Sequence, residues 1–330
     1  MIARRQILHA LMLGALGAAC RAPAWAQPAS GAFPTKPVRI IVPLPPGSPP
    51  DVLARLVAEG LSRHWSQPIL VENRPGATGM IGMQAVAKAE PDGHTVGILF
   101  LTHTVLPQLI EAMPYDTARD LAPVANLVWL YNVLVVPADS PIQSMDQLLT
   151  SADAKDGKRT YGSGGNGSPA HLLGESFARA VKANVLHVPF KGPSEAMTSL
   201  MGNQVDFMFA TAPVAAPLVR SGRLRALAVT SPERLASLPD VPTLAERGLR
   251  GLELREWEGV VAPAGTPASV IDAWNAALMT LIADPSVRAR LLDLGMTTAE
   301  PNRPAQFAAL IQQELEHWQQ FAKVSPLKVG

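Results

Sequence analysis

Cysteine is nearly absent from this 330-residue chain, and that alone narrows what it can be. Cys20 is the single thiol, so no disulfide framework is open to the protein. Charge is scarce as well, at 17% of residues, and it is balanced: 28 Lys and Arg against 27 Asp and Glu give a formal net charge of +1. With no basic block anywhere, the chain lacks the electrostatic footprint of a nucleic-acid binder. Beyond the first 26 residues no apolar run approaches the ~20 residues that cross a bilayer. Catalytic patterns are missing too. There is no H-E-x-x-H and no pair of histidines at i and i+4, so zinc chemistry lacks its ligands and no metal or cofactor is expected. Ser163 cannot sit in a G-x-S-x-G elbow, because Tyr161 takes the first glycine position. A secreted hydrolase survives only as an alternative in which Ser, His and Asp converge in space.

What is present begins with an export segment. Arg4 and Arg5 form a short basic stretch, Ile7 to Ala19 is apolar, and Ala24-Trp25-Ala26 fits the small-x-small cleavage pattern. Residues 1–26 are therefore expected to be a signal peptide cleaved after Ala26, with the mature protein in the periplasm. Arg4-Arg5 loosely resembles a twin-arginine signal, and Gly17-Ala18-Ala19-Cys20 is a poor lipobox, so the export route stays open. Cleavage removes three arginines and no acid, which moves the net charge from +1 to 1 − 3 = −2.

The mature chain alternates short β-branched runs with helical stretches. Strands are predicted at Val38–Val42, Ile69–Glu72, Thr95–Leu99, Asn132–Pro137, Thr160–Gly162, Val185–Val188, Val205–Phe209, Leu224–Val229 and Gly259–Pro263. Such βαβα order implies an α/β fold of parallel sheets flanked by helices. Val135-Val136-Pro137 and Val261-Ala262-Pro263 end alike and are read as two crossings between domains. The expected division is a discontinuous first domain, residues 33–137 and 256–330, with residues 138–255 inserted as a second. The 31 prolines lie mostly at element boundaries.

Ligands of such sheets bind outside the carboxyl ends of strands, so two loops stand out. Pro43 to Asp51 is proline-rigid, with Ser48 placed as an N-cap, Pro49 at the first helical position and Asp51 completing a capping box; free helix N–H groups should face the loop. Gly162 to Ser168 satisfies G-x-G-x-x-G, but the next strand ends at Pro189 with no acid for a ribose, so a dinucleotide site is rejected. The loop reads better as an anion cradle with Asn166 and Ser168 as donors. His103 and His171 follow candidate ligand loops and join the list.

These residues carry a resemblance. Val38 to Arg55, Val71-Glu72-Asn73-Arg74-Pro75-Gly76-Ala77-Thr78-Gly79, Pro91-Asp92-Gly93-His94-Thr95, His187-Val188-Pro189-Phe190-Lys191-Gly192, Leu224 to Thr230 and Ala262-Pro263-Ala264-Gly265-Thr266-Pro267 resemble the tripartite tricarboxylate transporter substrate-binding proteins, also called Bug receptors. The resemblance covers essentially the whole mature chain. It implies a two-lobed type II periplasmic binding protein that closes on a small carboxylate, serves integral membrane permease subunits, works as a monomer and catalyses nothing. A receptor that hands its bound form to a membrane sensor kinase would share the same pocket. The ligand-binding residues expected on this basis are Pro45, Pro46, Gly47, Ser48, Thr102, His103, Ser163, Asn166, Gly167, Ser168, His171, Lys191, Ala210 and Thr211.

Three departures from the family pattern bear on the ligand. Ser48-Pro49 stands where a second glycine is usual, Ala210 where many members carry aspartate, and Glu258 where an aromatic is common. An ammonium closed in a cleft needs a carboxylate partner, so Ala210 points to a ligand without an amino group. Glu258 is expected to be a solvated residue beside the domain crossing, the alternative being a place near the pocket where it would substitute as that carboxylate partner. From the export segment, N-terminal sequencing of protein recovered from the periplasm should start at Gln27; an intact Met1 or an acylated Cys20 would overturn that placement.

Overall fold

The computed structural model describes residues 33–152 and 159–324. Chain contacts separate Met1–Thr35 from Lys36–Gly330; of the first unit only residues 33–35 are described, and the second holds all the elements below. The expected export segment, residues 1–26, lies outside the described residues. In chain order the first half runs β1 (Val38–Val42), α1 (Pro49–Trp65), β2 (Ile69–Asn73), α2 (Met80–Ala87), β3 (Thr95–Phe100), α3 (Thr102–Val105), β4 (Leu121–Leu130), β5 (Asn132–Pro137), α4 (Met145–Ala152) and β6 (Arg159–Ser163). It continues with α5 (Pro169–Ala180), β7 (Val185–Pro189), α6 (Pro193–Met201), β8 (Phe207–Thr211), α7 (Ala212–Arg220), β9 (Leu224–Val229), β10 (Glu256–Pro263), α8 (Ala268–Ala283), α9 (Pro285–Asp293), β11 (Met296–Thr298) and α10 (Pro304–Val324).

Two sheets result, in the orders β11-β4-β10-β3-β1-β2 and β7-β6-β8-β5-β9, with helices packed on both. The fold is α/β with two helix-flanked sheets. Both sheets are mixed rather than mostly parallel. β1 runs parallel to β2 and β3, and β6 parallel to β7 and β8, as crossover helices require. The strands that carry the chain between sheets run the other way: β10 is antiparallel to β3 and β4, and β5 to β8 and β9.

The expected boundary at 137 also needs correction. β5 hydrogen-bonds with strands of the second sheet, so the chain changes sheets at Tyr131, between β4 and β5, and returns just before Glu256. The run Val133 to Val136 is apolar on both faces because it is a central strand, buried throughout. That property does not mark a crossing.

Each sheet has its own apolar packing. Tyr161, Phe177, Phe207 and Phe209 fill the second sheet's core, and Trp257, Phe307 and Trp318 anchor part of the first. Burying each such side chain contributes roughly 1.5–3 kcal/mol. Trp257 and Phe307 meet edge to face at 5.4 Å. Directly after this strand segment, Gly259 leaves the space that Phe307 needs: a Cβ there would lie 2.4 Å from the Phe307 ring and 2.5 Å from the Ala125 carbonyl oxygen. Since the oxygen belongs to the paired backbone of β4, it cannot yield. Gly259→Ala should therefore lower stability by about 1–3 kcal/mol, read as a lower urea midpoint; an unchanged midpoint would refute this packing account.

Candidate functional site

Between the sheets lies a cleft that is partly open to solvent. From the first sheet it is lined by Leu44 after β1, Pro49 and Pro50 at the start of α1, Thr78, Phe100, Thr102, and Glu256 and Glu258 of β10. From the second come Asn132 of β5, Gly164, Ser168 to Ala170, Pro193, and Met208, Phe209 and Thr211 of β8. Most of these lie at carboxyl ends of parallel strands, where α/β sheets hold ligands.

The loop after β1 is tied down from within. Asp51 accepts two bonds from the Arg55 guanidinium, at 3.0 Å each, one from the Gly47 N–H at 2.9 Å and one from Asn73 at 2.9 Å. Burial alone would raise the Asp51 carboxyl, but these donors outweigh it and hold its pKa below the usual range. Asn73 also donates to the Leu44 carbonyl at 3.0 Å. The expected capping box does not form: the Ser48 hydroxyl donates to the Pro45 carbonyl at 2.7 Å, and Asp51 binds Gly47. Nor does α1 present its first amides to the cleft, because Pro49 and Pro50 have no N–H. Pro46 and Gly47 are exposed, Pro45 half-buried and Ser48 fully buried, and none of the four lines the cleft.

The glycine-rich loop is built for close approach. A Cβ on Gly164 would stand 2.9 Å from the Pro193 nitrogen, and one on Gly165 3.1 Å from the Thr78 hydroxyl. Gly165 and Gly167 also hold φ values of +111° and +78°. Gly165 and Gly167 let the second sheet's loop press against the first sheet's Thr78 and Leu109. Thr78 itself reaches the cleft from a run, Gly76 to Gly79, in which all four residues have positive φ. Ala77 and Thr78 hold that conformation against their own side chains.

Of the expected ligand residues, Thr102, Ser168 and Thr211 line the cleft. The others sit elsewhere for identifiable reasons. His103 is fully buried, its Nδ1 at 3.2 Å from the Phe100 carbonyl, and burial drives its pKa down to about 4 against the pull of the Phe100 and Gly79 backbone. His171 accepts the Gly167 N–H at 3.1 Å and stacks on His187 at 4.3 Å. Ala210 belongs to the second sheet's core. Lys191 is exposed, and Asn166 lies off the cleft wall. Ser168 lines the cleft and also caps α5, accepting the His171 N–H at 3.4 Å.

Ser163 does meet a histidine, with Oγ 2.6 Å from His187 Nε2. The hydroxyl is fully buried, is shared with the Gly165 backbone and does not line the cleft. Burial, with the adjacent His171, depresses the His187 pKa to about 3, far from the range of a general base at neutral pH. The pair fastens the glycine loop to β7.

Sequence reasoning missed Asn132, Glu256 and Thr78 and misplaced Glu258. Glu258 is 4% exposed and stands on the cleft wall, not in solvent. Strand alternation explains it: Trp257 points into the first sheet's core, so Glu256 and Glu258 share the opposite face, which here is the cleft. The legible signal was acid at alternate positions of a strand that is otherwise apolar. Glu256 accepts a short bond from the Asn132 amide. Burial raises the Glu256 carboxyl to about 7, and burial together with the charge of Glu256 raises Glu258 well above the normal carboxylate range.

Because both folded-state pKa values exceed the unfolded ones, the folded protein binds protons more tightly. The pair is innocuous at pH 4.5 and increasingly destabilising as pH rises through about 7. Glu258→Gln should therefore raise the melting temperature at pH 8, and by much less at pH 4.5. Equal effects at both pH values would show that the carboxyl is not buried as described.

Comparison with known proteins places this geometry in a family. Residues 53–326 match the model of the tripartite tricarboxylate transporter family receptor. Three solved structures are similar over nearly their full lengths. The periplasmic binding protein BugD is 31% identical, covering 90% of this chain and 99% of its own, with a TM-score of 0.85. Rpa4515 of R. palustris, solved with adipate, is 31% identical over 88% of this chain and 97% of its own, at 0.84. MatC from Rhodopseudomonas palustris, with bound malate, is 32% identical over 87% and 99%, at 0.81.

Proposed function

Because the chain belongs to the tripartite tricarboxylate transporter receptor family, we propose that it is an exported receptor that captures a small carboxylate between two lobes and delivers it to integral membrane permease subunits. One lobe comprises residues 36–130 with 256–324, the other residues 132–152 with 159–255, and the chain passes between them at Tyr131 and at Arg255. The observation that carries this reading is the cleft between the two sheets: Thr211 Oγ1, Asn132 Oδ1 and Glu258 Oε2 line it as buried polar atoms with no partner. Unpaired buried groups are costly, about 1–3 kcal/mol each, and a ligand that satisfies them recovers that energy on binding. Adipate and malate in the two structural neighbours give the ligand class.

Ser168 and the start of α5 are assigned to the ligand's carboxylate. Pro169 occupies the first helical position, so Ala170 is the first residue of α5 to offer an N–H, and it lies on the cleft wall. A helix of twelve residues favours an anion there by roughly 0.3–2 kcal/mol. Closure depends on few residues. The two passages between sheets are single-stranded, and the lobes otherwise meet through side chains and loop tips, as at Gly165 and Thr78.

A receptor returns its ligand unchanged. Mass spectrometry of gently isolated protein should recover a small carboxylic acid. Adding that acid at 100 times its Kd should stabilise the fold by about 2.7 kcal/mol, a rise of several degrees in melting temperature. Conversion of the acid during incubation, or the absence of any carboxylate that stabilises the protein, would overturn the receptor reading.

A further inference from the structure

The cleft wall holds two glutamates and, among the described lining residues, no lysine, arginine or histidine. For a pocket assigned to carboxylates this is the wrong balance of charge, and hydrogen bonding sharpens the mismatch. Glu258 Oε2, Asn132 Oδ1 and Thr211 Oγ1 are all buried and all without a partner. The Asn132 amide nitrogen is already committed to Glu256, so its carbonyl oxygen is what remains to offer. Thr211 lies directly opposite Asn132 in the β5–β8 pair, which puts the two side chains on one face. Glu258 follows Glu256 by two residues on the face that Asn132 bonds. An amide oxygen, a carboxyl oxygen and a hydroxyl that can accept thus share one corner of the cleft, whose wall also includes the start of α5.

Resting on the receptor reading, we infer that Glu258, Asn132 and Thr211 form a subsite for a protonated amine, and that the ligand is a small amino carboxylate whose carboxylate faces α5 and whose ammonium faces Glu258. An ammonium carries three N–H groups and one positive charge, which matches three acceptors of which one is a carboxylate. A dicarboxylate fits less well. Even with both glutamates protonated, the Asn132 oxygen would face a second carboxylate that has no hydrogen to give, and two buried acceptors left in contact are destabilising. The conclusion reverses the expectation drawn from Ala210: the anionic partner that this chain lacks after β8 is supplied from β10. It also accounts for burying two carboxyls side by side, which costs the unliganded protein stability and is relieved when a cation enters.

Calorimetry at pH 7.5 with matched pairs tests the inference: aspartate against succinate, glutamate against glutarate, and 4-aminobutyrate against butyrate. In at least one pair the amino compound should bind roughly 10- to 100-fold more tightly than its partner. Glu258→Gln should abolish most of that preference while the unliganded protein remains folded. Should Glu258→Gln fail to fold, Thr211→Val provides the same readout through a smaller, selective loss for the amino member. If the des-amino acids bind as tightly as their partners, and buffer-dependent enthalpies reveal proton uptake, the glutamates act as protonated donors; the amine subsite is then overturned and the carboxylate receptor stands. An amino preference that survives Glu258→Gln would also overturn the assignment. If no member of either set binds, the amine subsite falls, and the receptor reading stands or falls with the acid recovered from the isolated protein.

Discussion

The hydrogen bond between the Asn132 amide and the Glu256 carboxyl is the constraint around which the molecule is arranged. Asn132 opens β5, the first strand of the second sheet to follow the passage at Tyr131, and Glu256 opens β10, where the chain returns. One side-chain contact therefore ties both passages together at the root of the cleft. The Asn132 backbone is fixed as well: its N–H donates to the Thr230 hydroxyl at 2.9 Å, and its carbonyl accepts the Thr230 N–H at 2.8 Å. With the crossing strands pinned, the positions of Glu258 and Thr211 follow from strand alternation and register. The same pinning keeps carboxyl groups out of water, which raises their pKa values and leaves an acceptor unpaired.

Proline and glycine divide the remaining work around the cleft. Pro49, Pro169 and Pro193 occupy the first position of α1, α5 and α6, and Pro213 the second of α7. That position suits proline conformationally, but each proline deletes an amide that could have met an anion. The rim is consequently stiff and poor in donors, and Asp51 reinforces it by binding Gly47, Arg55 and Asn73 together. Glycines do the opposite service on the facing loop. Gly165 and Gly167 let backbone and side chains of one sheet's loops come within van der Waals contact of the other's.

A donor-poor cleft with acid on its wall is the physical basis of the proposed amine subsite. The two structural neighbours carry adipate and malate. In the present chain the buried acceptors gather at the junction of β5, β8 and β10. A buried carboxyl pair is weak as a source of stability and strong as a discriminator, since a ligand group of the wrong sign leaves it uncompensated.

Nine of the eleven strands among the described residues were legible in the sequence because β-branched runs act locally, and β4 and β11 were not. β1 and β9 fall where hydrophobic pattern alone puts them, and α8 keeps the apolar stripe of Ile271, Trp274 and Leu278 facing inward. The family resemblance was legible too, in motifs such as Asn73 to Gly79, whose role in holding Leu44 and presenting Thr78 needed coordinates to appear. Tertiary structure alone decided the site. A one-dimensional pattern shows that Glu256 and Glu258 share a strand face but not whether that face meets solvent or another sheet, because this depends on residues more than a hundred positions away, Asn132 among them. Likewise the glycine loop satisfied a local phosphate-binding pattern, yet its glycines answer to Thr78, Leu109 and Pro193 on other elements. Burial, and with it the charge and hydrogen-bonding state of the cleft, is set by what packs across the gap, and no local run of residues carries that information.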